Sequence, residues 1–142
     1  MTDDPFDLAR FEAAQAPVIA RVTAELSAGR KQSHWMWFVF PQLAGLGFSA
    51  MAATYAIASL DEARAYLAHP VLGPRLIDCT ARVLAVEGRD AHAIFGAPDD
   101  LKFHASMTLF ARAAPQEPVF SRALAKYFGG EEDQKTLSLL DQ

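Results

Sequence analysis

The chain has 142 residues, of which 51% are hydrophobic, with 13 basic and 17 acidic side chains and a formal net charge of −4. That length suits one domain with its own core, read here as 1–142 with the core at about 7–140, and the apolar content excludes a disordered chain. An acidic balance argues against a nucleic-acid partner, and the most apolar run, residues 35–40, is too short to span a bilayer.

Cys79 is the only cysteine, so no internal disulfide or cysteine-based zinc site forms, and its apolar neighbours suggest a buried thiol. The acidic first residues lack the basic and apolar parts of a signal peptide, which makes a cytoplasmic location the expectation.

Helical periodicity dominates the chain. A first helix is expected from Asp7 as N-cap, with Leu8, Phe11 and Ala14 on one face. Pro17 interrupts it, and a second helix buries Val18, Ile19, Val22 and Leu26 before Gly29. The aromatic run 35–40 reads as a buried helical turn or extended segment stopped by Pro41, and Gly45 and Gly47 mark a loop. Residues 49–57 resume a short apolar pattern. Ser59 and Glu62 have capping-box spacing ahead of Ala63, Tyr66 and Leu67, and Pro70 ends that helix.

A longer helix follows, with Leu76, Cys79, Val83 and Val86 inward and Gly88 as its stop. Asp90 opens a short turn closed by Gly96. Pro98 suits the first position of the next helix, which runs to about Ala113 with Leu101, Ala105 and Leu109 on one side and Phe103, Met107 and Phe110 on another. Pro118 opens a helix carrying Val119, Leu124, Tyr127 and Phe128, ended by Gly129 and Gly130, and a last segment lays Leu137 and Leu140 on the body. The expected architecture is an all-α, multi-helix single domain.

Common catalytic signatures are missing: no phosphate loop, dinucleotide glycine pattern, nucleophile elbow or HExxH occurs. The four histidines lack ligand spacing, so no metal and no cofactor are expected. Two constellations remain. Asp99, Lys102 and Ser106 fall within about 60° of one another on an otherwise apolar helix. They form either a surface pair with Ser106 bonded to its own backbone, or the wall of an anion or sugar site. Arg30, Lys31, Ser33, His34, Trp35 and Trp37 place donors beside two large rings. The rings are either core or a stacking platform, and the cations either complement a helix end or hold an anion. Gln42 would add an amide to the same pocket, and Arg75 is either a further anion donor or a solvent-facing arginine.

The run GRKQSHWMWFVFPQLAGLG, followed by YAIASLDEARAYLAHPVLGPRL and IFGAPDDLKFHASMTLF, resembles the domain-of-unknown-function family numbered 1810 over about residues 7–140. The resemblance implies a mainly α-helical single domain and no assigned activity. A more distant likeness, carried by Phe95-Gly96 and the polar helix residues after it, is to the helical NADAR proteins, which are associated with cleaving N-glycosidic bonds of ribosyl compounds. It implies a hydrolase acting on a ribosyl or ADP-ribosyl compound. Catalysis would then fall to Asp99, Lys102 and Lys31, with His34, Trp35, Trp37, Gln42, Arg75 and Ser106 binding the ligand. The rival readings are a non-catalytic module for a nucleotide or phosphorylated metabolite, and a protein-interaction domain.

Overall fold

The computed structural model describes residues 3–141, and these form ten helices and no strand. In chain order they are α1 (Ala9–Gln15), α2 (Ile19–Ser27), α3 (Met36–Val39), α4 (Ala50–Thr54), α5 (Leu60–Ala68), α6 (Leu72–Leu84), α7 (Ala91–Phe95), α8 (Asp99–Ala113), α9 (Pro118–Phe128) and α10 (Gln134–Leu140).

Most helix ends follow from local chemistry. The Ser59 side chain accepts from the Glu62 amide at the start of α5, as the capping-box spacing requires. Asp90 and Asp133 cap α7 and α10 in the same way. Pro118 is the first residue of α9, and Gly129 ends that helix in the left-handed conformation at φ 63°.

Two helix starts differ from the local expectation. Asp7 does not cap α1. The Asp4 carboxylate does, accepting from the Leu8 and Ala9 amides at 2.7 and 2.9 Å, while Asp7 takes a positive φ of 54°. Pro98 sits one residue before α8 rather than at its first position.

α8 is the centre of the molecule, packing against α5, α7, α9 and α10. Eight of its fifteen residues are buried, Phe103, Met107, Leu109 and Phe110 among them. A helix apolar around most of its circumference has to be enclosed in this way. Leu101 is the exception: expected inside, it is 66% exposed near the open N-terminal end of α8.

Aromatic contacts extend the core outward. Tyr66 joins Phe11 to Phe110, and Phe40 touches Trp35, Phe95 and Phe103. Cys79 is buried between these layers, and burial pushes its thiol up to about 12. No helix among the described residues is long and apolar enough to cross a membrane.

Two features of this architecture bear on function. The segment between α3 and α5 leaves the body and returns, its base closed by backbone bonds from Ala44 to Ile57 (2.8 Å) and from Ile57 to Gln42 (3.0 Å). Within it α4 buries none of its residues. The link from α2 to α3 is short, so residues 30–35 pass directly over the end of α2 toward α7.

Candidate functional site

The site begins with Glu25, on the same side of α2 as Val22 and Leu26. Its carboxylate accepts from the amides of Gln32 (2.8 Å) and Ser33 (3.1 Å), the Ser33 hydroxyl (2.6 Å) and the Trp35 indole N–H (2.9 Å). Burial alone would raise its pKa, but these four bonds outweigh that and bring it down to about 2. One buried anion thus organises the whole 32–35 turn. The Lys31 amide adds a bond to the Ile94 carbonyl at 2.8 Å, tying the same stretch to the end of α7.

This pinning brings Lys31 to the start of α8. Its ammonium lies 2.8 Å from Asp99 Oδ2, with a side chain only 7% exposed, and 5.1 Å from the centre of the Trp35 ring. Asp99 Oδ1 is 3.6 Å from the Lys102 ammonium, which stands 5.2 Å from the centre of the Trp37 ring. Two stretches of chain some seventy residues apart therefore meet at one carboxylate. Two lysines share one aspartate, leaving a formal positive charge in a chain that is acidic overall. Asp100, the adjacent carboxylate, turns instead to His92 at 3.4 Å.

Lys102 also lines a narrow cleft with Met36, Trp37, Phe40, Gln42, Ala52 and Tyr55. Its free space is about 10 Å³, room for roughly one water molecule. α4 forms its outer wall through Ala52. A Cβ at Gly47 would lie 2.4 Å from the Ala52 Cβ, so the glycine permits this close approach. As it stands, the cleft has no room for a ring.

Ser106 lies one turn beyond Lys102 on the same helical stripe and is fully buried. Its hydroxyl has no hydrogen-bond partner among the described residues, so the backbone bond considered for it is not formed. Thr108, two residues on, does make such a bond to the His104 carbonyl. A buried hydroxyl left unpaired costs about 1–3 kcal/mol, which marks this stripe as unusual.

The other expected site residues are placed differently. Trp35 is 1% exposed, its indole N–H is committed to Glu25 and its ring packs on Phe40, so it offers no open face for stacking. His34 is exposed. Arg75 donates to Gln15 Oε1 at 3.3 Å, in a network where Gln15 also donates to the Phe38 carbonyl and the Tyr66 hydroxyl.

Glu25 and Gln15 were not singled out from the sequence. Both are polar residues at helical spacing from core positions, Phe11 to Gln15 and Val22 to Glu25, and that interruption of an apolar stripe was the available signal. Among the described residues no three histidine, cysteine, aspartate or glutamate side chains gather to hold a metal ion.

The family model described as "Protein of unknown function (DUF1810)" matches residues 5–140. The crystal structure of the conserved hypothetical protein Rv1873 from Mycobacterium tuberculosis is similar, with 60% sequence identity, a TM-score of 0.96, and coverage of 98% of this chain and 99% of that one. No curated protein matches.

Proposed function

The chain belongs to the DUF1810 family, whose description carries no activity, and from the site itself we propose that the protein binds a small phosphorylated metabolite, with a ribosyl phosphate as the simplest form. The observation that carries this reading is the convergence of Lys31 and Lys102 on Asp99, which concentrates positive charge at one point of an acidic protein. The phosphate would lie on the two ammonium groups. The organic part would lie along Trp37 toward Gln42 and Tyr55, where an aromatic wall adjoins an amide and a phenol. Entry of a ring requires the outer wall to move, and α4, with no buried residue, is the element least held by the core.

Thermal unfolding with and without ribose 5-phosphate tests the proposal. Ligand that binds only the folded protein raises the melting temperature in proportion to its concentration over Kd. The shift is expected in the wild type and lost in Lys102→Met. A melting temperature unmoved at millimolar ligand sinks it.

A second reading makes the protein a hydrolase of an N-glycosidic bond in a ribosyl or ADP-ribosyl compound. It is supported by a single feature, the 19% exposed carboxylate of Asp99 beside the proposed phosphate position. Once the phosphate holds the lysines, that carboxylate would face the ribose, where it would stabilise oxocarbenium charge or orient water. Incubation with ADP-ribosyl nucleosides separates the two: binding without product leaves the first reading alone.

A further inference from the structure

Resting on the proposed phosphate site, we propose that Asp99 is its specificity-determining residue, a resident carboxylate that excludes monoanions and yields the lysines only to a dianionic phosphate monoester. Both of its oxygens face lysines, Oδ2 at 2.8 Å from Lys31 and Oδ1 at 3.6 Å from Lys102. The lysine pair is thus already matched by an anion belonging to the chain. An external carboxylate would replace Asp99 like for like, with no gain in charge pairing. It would also compete against a group tethered three residues from Lys102, whose effective concentration is on the order of millimolar or more.

A phosphate monoester has a second ionisation near pH 6, so at mildly alkaline pH it brings nearly two charges and three oxygens to the same pair. It therefore engages both ammonium groups at once. The unequal distances indicate the order of exchange. Lys102 is the looser partner and its side chain is 24% exposed, so the ligand meets it first, whereas Lys31, at 7%, keeps Asp99 until the phosphate reaches it.

Displacing Asp99 does not strand it. It is the first residue of the fifteen-residue α8, where the helix dipole favours a negative charge. Asp100, the adjacent carboxylate, faces His92 at 3.4 Å rather than the lysines.

Calorimetric titration of the full chain at pH about 8 tests the inference, with ribose 5-phosphate and acetate as probes. Wild type is expected to bind ribose 5-phosphate and to give no binding heat with acetate. Asp99→Asn, which keeps the shape and removes the charge, is expected to bind ribose 5-phosphate about tenfold more tightly and to gain acetate binding. If wild type binds ribose 5-phosphate and Asp99→Asn binds it equally or more weakly, Asp99 merely positions the lysines; the inference falls and the phosphate site stands. If neither protein binds, the phosphate site falls too.

Because Lys31 is buried, Asp99→Asn carries a risk of misfolding, so the unmodified protein provides a second readout. The Asp99 Cγ signal in carbon NMR is expected to shift on saturation with ribose 5-phosphate and to stay in place with acetate. A signal that ignores bound ribose 5-phosphate overturns the exchange.

Discussion

A carboxylate almost out of contact with water stays ionised at Glu25 because four donors from residues 32–35 surround it. Its folded pKa of about 2 lies below the ordinary 4.5, so it contributes stability that is complete above about pH 4.5 and is lost as pH falls toward 2. A depression of that size corresponds to about 3 kcal/mol. Glu25→Gln should therefore unfold at lower urea than wild type at neutral pH, and the gap should close as pH approaches about 2. Urea midpoints for both proteins across that range provide the check, and a gap independent of pH would show that the carboxylate's charge is irrelevant. The same substitution should loosen Lys31 and weaken any binding of ribose 5-phosphate, because the turn that carries the lysine is built on Glu25. Lys31, Asp99, Lys102 and Trp37 were recognisable as candidates from residue type and spacing. Glu25 was not, since a lone glutamate on an amphipathic helix ordinarily faces water.

At the scale of elements, α5 and α6 approach through Gly73, where an added Cβ would lie 2.1 Å from the Leu67 carbonyl oxygen. Two effects oppose each other in Gly73→Ala. Helix propensity favours alanine by about 1 kcal/mol. Overpacking against backbone, which cannot turn aside as a side chain does, costs about 3 kcal/mol or more at such a distance. The clash wins, and Gly73→Ala should lose stability in urea or thermal unfolding; a variant more stable than wild type would refute the close approach. Helix starts and stops were largely readable because caps are local: Ser59 with Glu62, Pro118 and Gly129 each act within a turn of themselves. The start of α1 is not local in this sense, because its cap comes from Asp4, across a turn in which Asp7 has positive φ. α4 matches an apolar pattern in sequence yet buries none of its residues, and Met51, its largest side chain, is 38% exposed.

At the scale of the molecule, α8 contacts helices from both halves of the chain and its aromatic neighbours reach Phe11 on one side and Phe120 on the other. With one core shared in this way, no part has an apolar interior of its own. Heat should unfold the chain in one transition whose calorimetric and van't Hoff enthalpies agree. Two resolved transitions would disprove the single-domain organisation.

Composition and periodicity by themselves determined that this is a helical protein with a buried thiol, a central apolar helix and a stripe of Asp99, Lys102 and Ser106 along it. These depend on local propensity and on the 3.6-residue repeat, which are written in consecutive residues. Only the tertiary structure decided that Lys31 meets that stripe, that Trp35 belongs to the core and that Arg75 is engaged by Gln15. Each of those outcomes depends on which surfaces pack together across distant parts of the chain, and helical spacing carries no information about partners that far apart.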